Sequence, residues 1–506
     1  MFDEIKMITQ ATQPISTTPS ALTRWFVVCI SGFAALHLAG CTVGPDYHRP
    51  EAPPVVSLTR QPTDAMRTAV PDEIPREWWE VYGSPRINTL VKQALIRNPN
   101  VEVGIANLKA AQEIVNAQRG LFFPSVQAGY SASRQNSGSV LSPTLNSGDT
   151  LFNLHTAQLS VGFVPDVFGA NRRQVESLEA AASGQQYQLE ALKITLASNV
   201  VGAAIQERGL TEQIGIVEKT IQVADEQLKQ LKGLNTSGYS SGLDVAQQQV
   251  AYVQTVALLP PLQKQLEQTR NLLAVLCGQF PAQQLPGGTL DEIHVPTALP
   301  HILPSSLVNR RPDVQAAQEQ LHASHAQIGV AVANMLPQIS LSANLAYNNN
   351  VLAGLFSTAN KSWGLLGGLT QPLFSGGALS ARKRAAEATA ESARAQYQIV
   401  VHTAFQNVAD TLYALEADGR SVTAAREVEA ANQQLVGHTE RQFGQGYISR
   451  IVLLGAQQSF LQAQLARVAS NATYLGDTVS LYQALGGGWV GSDNSVGMAG
   501  KSESRP

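Results

Sequence analysis

Charge is scarce in this sequence: 14% of its 506 residues are Asp, Glu, Lys or Arg, where about 25% is usual for soluble proteins. Acids number 38 against 35 bases, a net charge of -3, which excludes a nucleic-acid binder because that function needs a basic face. Long hydrophobic runs are nearly missing as well. With 44% apolar residues and a mean hydropathy of -0.05, the chain is too polar for a bundle of membrane helices, and only Trp25 to Leu38 suits a bilayer. Any spanning structure must therefore be built from strands. There are just three cysteines, and a chain of this length can bury a sizeable core without disulfide staples.

The apolar stretch follows Arg24 and ends in Leu38-Ala39-Gly40-Cys41, a short core with small residues before a cut site, which reads as an export signal over residues 1–40. About 14 apolar residues are too few for a spanning helix. Leu-Ala-Gly-Cys resembles the bacterial lipobox, in which the cysteine thiol is diacylated before cleavage, so Cys41 would become the lipidated N-terminus. That resemblance also implies outer-membrane sorting, because Thr42 stands where Asp would retain a lipoprotein in the inner membrane. Removal of 1–40 takes away Asp3, Glu4, Lys6 and Arg24, leaving the net charge unchanged. Cys29 leaves as well. Cys277 is then the one free thiol, no disulfide can form within the chain, and its place at the end of an apolar helical pattern predicts a buried packing residue. The polar stretch before Arg24 is long for a signal, which leaves Met7 or a later residue open as the start.

The remainder is organised by an internal repeat. Leu95, Pro99 and Val101 match Leu307, Pro312 and Val314, and Pro124 matches Pro337. Further along, Pro165 and Gly169 match Pro372 and Gly376, Gly238-Tyr239 matches Gly446-Tyr447, and Gly278 matches Gly486. Each copy, residues 86–278 and 306–485, reads as helix, strand, strand, long helix, turn, helix. Residues 41–85 and 279–305 read as linkers, and 486–506 as a disordered Gly/Ser tail.

Period-two alternation marks the strands. Val126, Ala128, Tyr130 and Ala132 alternate with small polar partners at about 124–135, and Ala157, Leu159, Val161 and Phe163 do so at about 151–164. The second copy repeats this with Ile339, Leu341, Ala343, Leu345 and Tyr347 at about 337–347, and more weakly with Trp363, Leu365, Gly367 and Leu369 at about 361–373. Runs of roughly ten residues with one apolar and one polar face suit lipid on one side and water on the other. A soluble sandwich would alternate in the same way. Four strands cannot close a membrane barrel, for which about eight is the minimum, so a spanning chain must donate its strands to an oligomer. A dimer and a trimer both meet that requirement.

From Asn171 to Lys232 there is no proline, and a continuous helix there would run about 90 Å at about 1.5 Å per residue. Ile214, Val217, Ile221, Ala224, Leu228 and Leu231 recur at spacings of three and four, as do Leu461, Leu465, Val468, Ala472, Leu475, Val479 and Tyr482. These are heptad seams, expected to pack helices against one another. The fold class is thus an α+β membrane protein.

Taken together, the residues resemble the TolC-like outer-membrane factors of tripartite efflux systems, in particular the NodT-type and OprM-like lipoprotein branch. The resemblance rests on Cys41 followed by Gly44-Pro45-Asp46-Tyr47-His48-Arg49-Pro50, on Trp78-Trp79, and on Asn98-Pro99 before a helix. Pro260-Pro261-Leu262, Gly446-Tyr447 and Leu453-Leu454-Gly455-Ala456-Gln457 add to it. It implies a homotrimer in which four strands per chain make one 12-stranded outer-membrane barrel and long helices form a periplasmic tunnel. It also implies a passive exit duct for drugs or other small toxic compounds, powered by an inner-membrane pump of RND type. The turns at about 233–243 and 443–449 would be tips that meet a periplasmic membrane-fusion adaptor, with Gly238, Tyr239, Gly446 and Tyr447 at the contact. No catalytic residue, cofactor or resident metal is implied.

In related channels the periplasmic constriction lies just past the second tip, which here is Arg450, Ile451, Val452, Leu453, Leu454 and Gly455. Ile451 matches the apolar gate position, whereas Gly455 stands where this branch usually has Asp. Closure is therefore expected to be steric and hydrophobic, centred on Ile451 with Val452 and Arg450 beside it.

Two other patterns compete poorly. Gly238-Tyr239-Ser240-Ser241-Gly242 fits G-x-S-x-G, but a nucleophile elbow needs a strand before the serine, and helical patterns flank it here. Ser380 and Lys383 fit S-x-x-K without a supporting motif. His322 and His325 lie three apart on a helical stretch, and no third metal ligand is visible. Millimolar divalent cations on the periplasmic side are expected to leave channel conductance nearly unchanged, and strong block would overturn the hydrophobic gate.

Overall fold

The computed structural model describes residues 42–51, 74–136, 151–283, 293–294 and 310–489. The signal segment, Cys41, most of both linkers, the loop 137–150 and residues 490–506 lie outside the described residues. In chain order, a 3-10 turn at Trp78–Tyr82 precedes helices α1 (Pro85–Arg97) and α2 (Pro99–Arg119), then strands β1 (Ser125–Asn136) and β2 (Leu151–Phe163). Helix α3 (Ala170–Thr236) is followed by α4 (Gly242–Ala257) and α5 (Leu259–Leu276). The second copy runs α6 (Pro312–Ala333), β3 (Gln338–Asn349), β4 (Lys361–Thr370), α7 (Ala378–Gly444) and α8 (Arg450–Ala484). Helices α3 and α7 both contain 67 residues, so the repeat preserves helix length. The copies differ after the tips, where α8 is unbroken and its counterpart splits at Leu258, ahead of Pro260 and Pro261. A proline lacks the N–H of the helical ladder and its ring clashes with the carbonyl four residues back. Among the described residues, no helix is long and apolar enough to cross a membrane.

One compact unit holds the strands (of the described residues, 42–45, 118–136, 151–174 and 327–383). Its sheet is antiparallel in the order β1-β2-β3-β4. The register places Ser125, Gln127, Gly129 and Ser131 opposite Gly162, Ser160, Gln158 and Thr156. That polar face continues through Ser342, Asn344 and Asn348 on β3 and Ser362 and Gly364 on β4. The other face carries Val126, Leu159, Leu345, Trp363 and Leu365, and Val126, Trp363 and Leu365 are 63%, 72% and 76% exposed. Beyond the end of the sheet opposite the strand-connecting loops, Phe123, Leu373 and Phe374 are also exposed. The outer edges of β1 and β4 pair with no other strand of the described residues.

The second unit (of the described residues, 46–51, 74–117, 175–283, 293–294, 310–326 and 384–489) is helical. Its core gathers Trp78, Tyr82, Ile87 and Leu90 with Val200 and Val201 of α3, Leu273 of α5 and Leu481 of α8, each nearly free of solvent contact. Trp78 stacks on Tyr482 with ring centroids 5.2 Å apart, and the Tyr82 hydroxyl meets Thr478 Oγ1 at 2.8 Å. Glu207 of α3, 5% exposed, lies between Arg86 of α1 (3.0 Å) and Arg270 of α5 (3.2 Å), tying three helices through one carboxylate. Cys277 is fully buried, its Sγ 3.6 Å from the Leu90 carbonyl, and burial pushes the thiol up to about 11. Of the α3 seam, Val217, Ala224 and Leu228 are buried while Ile214, Ile221 and Leu231 are half-buried, and Ile216 packs with Leu461 and Val468 of α8.

The expected tail needs a correction at its start. Gly486 to Trp489 are placed, with Gly486, Gly487 and Gly488 at φ of 93°, 57° and 68°, and Trp489 makes an edge contact with Tyr187. Positive φ is open to glycine at little cost, and three in succession fold the chain back onto the core. The repeat explains one of them. Gly278, φ 69°, abuts the Arg97 carbonyl, and Gly486 abuts the Arg310 carbonyl, so each copy closes its second hairpin helix onto the segment that opens it. Left-handed backbone at a non-glycine residue costs about 1–3 kcal/mol, and a Cβ would overlap a carbonyl besides. Gly278→Ala and Gly486→Ala should each lower the thermal midpoint, whereas Gly437→Ala, in mid-helix with open space around it, should leave it unchanged or raise it.

Candidate functional site

Both tips use one backbone solution. In the first, Gly238 has φ 76°, its N–H donates to the Asn235 carbonyl (2.9 Å), and the Tyr239 N–H donates to the Leu234 carbonyl (2.8 Å). In the second, Gly446 also has φ 76°, with Gly446 N–H to Phe443 O and Tyr447 N–H to Gln442 O, both 2.9 Å. These are glycine-capped helix ends of the Schellman type. Ser241 then caps α4 through a capping box with Asp244, accepting from its N–H at 3.1 Å and donating its own N–H at 2.9 Å. The turns present Tyr239 and Tyr447 to solvent at 84% and 78% exposure. Ser240 sits between two helices and its Oγ donates to the Leu231 carbonyl at 3.1 Å, so its hydroxyl serves the turn.

Beyond the second tip, Ser449 begins α8. Arg450 extends its guanidinium to the Glu226 carboxylate of α3, a partner 224 residues away in sequence. Ile451 is half-buried, Val452 exposed, and Leu453 and Leu454 are buried. A Cβ built on Gly455 meets nothing within 4 Å. Glu226 carries no local sequence signal, because its role arises only when the first copy's long helix lies beside the second copy's α8. Further along the seam, Arg467 of α8 binds Glu212 of α3 (3.0 Å) and Glu429 of α7 (2.8 Å). Asp477 of α8 faces Asp418 of α7, and burial, with that neighbouring carboxylate, pushes Asp477 up to about 6.

The histidine pair is drawn into ion pairing and stacking. His322 Nε2 is 3.1 Å from Glu176 and its Nδ1 is 3.4 Å from Glu319, and its ring stacks on Tyr47 with centroids 4.4 Å apart. Those carboxylates raise its pKa, while burial lowers that of His325. No group of three metal-ligating side chains occurs among the described residues. The polar face of the sheet carries no charged side chain. Arg134 and Lys361 both lie on the apolar face, Arg134 opposite Asn153 and Lys361 opposite Tyr347.

A two-faced membrane sheet joined to duplicated helical hairpins defines a channel-forming class, and known proteins give the family. Residues 90–279 and 303–487 match the outer membrane efflux protein family, and the chain belongs to it. The probable efflux pump outer membrane protein TtgC of Pseudomonas putida is 31% identical over 462 residues, covering 90% of this chain and 94% of the relative. The pyoverdine export outer membrane protein OpmQ of the same species is 29% identical, covering 85% and 91%. Among solved structures, the outer-membrane channel OprN aligns with a TM-score of 0.79 at 28% identity, over 89% of this chain and 100% of that one. The Neisseria gonorrhoeae MtrE channel shares the fold, with a TM-score of 0.78 at 24% identity. The protein is thus an outer membrane efflux protein.

The carboxyl pair fixes a pH dependence. The pKa of Asp477 lies above the ordinary 3.8 in the folded protein, so its contribution favours folding in acid and is lost as pH rises from about 4 to about 6. Asp477→Asn should raise the thermal midpoint at pH 7.5 and leave it unchanged at pH 4.

Proposed function

We propose that three copies of this chain form one outer-membrane duct, anchored by lipid on Cys41, with the twelve strands closing a single barrel. The observation that carries this reading is the sheet itself, two-faced, exposed on its apolar side and open at both edges. In hydrocarbon every backbone N–H and C=O needs a protein partner, so an open edge must be closed by another chain. The polar faces of the strands then line the lumen, and Phe123 and Phe374 at the rim suit the aromatic girdle of such barrels. The helices extend the conduit on the periplasmic side. Relatives named for efflux of toluene, antibiotics and pyoverdine support export of drugs or other small toxic compounds.

The duct is passive, and an inner-membrane pump, reached through a periplasmic adaptor, supplies the energy. The adaptor engages the turns bearing Tyr239 and Tyr447. Contact there shifts a closed-to-open equilibrium only by as much as the adaptor prefers the open tips. Opposing it are the half-buried Ile451 and the Arg450–Glu226 pair, which joins α8 to α3 next to the proposed constriction.

The test is the conductance of the purified, lipidated protein in a planar bilayer, with its oligomeric mass measured alongside. A trimer with discrete channels is expected, and Ile451→Ala or Glu226→Gln should raise the open fraction. Gly455→Asp, which the space there admits, should create the acidic ring and bring block by divalent cations. A stable monomer that never conducts would sink the proposal.

A further inference from the structure

None of the four strands contains Asp or Glu, and their basic and imidazole side chains, Arg134, His155 and Lys361, all lie on the apolar face. That is the face on which charge is costliest. A cation turned to lipid is penalised most at the middle of a bilayer and little at its interfaces, whereas the polar face would accept one at any depth. The position of the three along the strands therefore decides what they can do.

That position is uniform. Measured from the helix-side end of each strand, Arg134 is nine residues from Ser125, His155 eight from Phe163 and Lys361 nine from Thr370. Tyr347 completes the level on β3, nine residues from Gln338 and paired with Lys361. Nine residues at about 3.4 Å each make about 30 Å along a strand, or about 22 Å across a bilayer at a tilt of about 45°, near the roughly 25 Å height of the apolar band in such barrels. The level is the loop-side margin of that band, where lipid headgroups begin. Arg134 and Lys361 are exposed there, and the Tyr130 hydroxyl meets His155 Nδ1 at 2.8 Å. Residues 350–360, which join β3 to β4, bring no acid to that end.

We propose that this band binds a phosphorylated glycolipid of the outer leaflet, one carrying more than one phosphate on its headgroup. Arginine offers paired N–H donors to a phosphate and lysine a point charge. Lys361 shares its rung with Tyr130, and Arg134 is four residues further along β1, so the two backbones are about 20 Å apart. Two long side chains narrow that span to the size of one such headgroup, with His155 between them. Towards the middle of the sheet, the exposed Trp363 and Leu365 offer apolar surface to the acyl chains. The inference rests on the duct reading, because it needs the apolar face in the outer membrane, and it deepens that reading by naming the lipid at the outer rim.

Bisphosphorylated lipid A is the probe, with its dephosphorylated form and phosphatidylglycerol as comparisons. Native mass spectrometry of the full protein with each lipid in detergent would count the bound molecules and give the oligomeric mass, with bilayer conductance measured on the same preparations. Lipid A should bind at one molecule per chain and about tenfold more tightly than either comparison lipid. Arg134→Gln with Lys361→Gln should weaken it about tenfold, while Arg134→Lys with Lys361→Arg should hold it near the parent. Ser133→Gln, beside Arg134 on the polar face, should change nothing. A conducting trimer that binds the three lipids alike, or whose paired Gln variant binds as the parent does, overturns the lipid site and leaves the duct standing. A preference for lipid A that depends on Arg134 and Lys361, in a protein that never forms trimers or channels, overturns the duct and supports the lipid site.

Discussion

Backbone hydrogen bonding in hydrocarbon is the constraint on which the rest of this structure depends. Residues 155–162 of β2 and 341–347 of β3 are paired on both sides, while β1 and β4 each leave one edge open among the described residues. A water-soluble sheet can leave such edges to solvent, but a bilayer offers no alternative partner. The exposed Val126, Trp363 and Leu365 on one face and the serines and asparagines on the other make sense when lipid and water take those two sides. The proposed closure by further copies rests on the same requirement.

Duplication supplies the helical unit with matched parts and then departs from symmetry where function differs. Helices of equal length, equivalent glycine tips and equivalent closures at Gly278 and Gly486 show one design used twice. The departures are local. The proline pair breaks the helix after the first tip, while α8 continues unbroken and brings Arg450 to Glu226 and Arg467 to Glu212 and Glu429. Such partly exposed pairs add little to stability, but they hold one helix beside two others, so a change in their geometry alters how the hairpins lie together.

The scarcity of charge acquires a location in the structure. Ion pairs concentrate in the helical unit, whereas the polar face of the sheet is lined by neutral groups alone. A face of that kind exerts no strong long-range pull on ions, and were it to line the proposed duct its contacts with a solute would be short-range.

Strand type, helix length, the repeat and the tip glycines were written locally, in period-two alternation, in the absence of proline and in residues that alone tolerate positive φ, and were therefore legible in the chain itself. What no local pattern could contain were pairings between elements far apart in the chain: Arg450 with Glu226, Asp477 against Asp418, His322 with Glu176. The Gly/Ser composition after Gly486 also misled, because composition does not reveal that a glycine run can turn back onto Arg310 and Pro75. Periodicity fixes which face a residue takes, but only tertiary packing decides which distant face it meets.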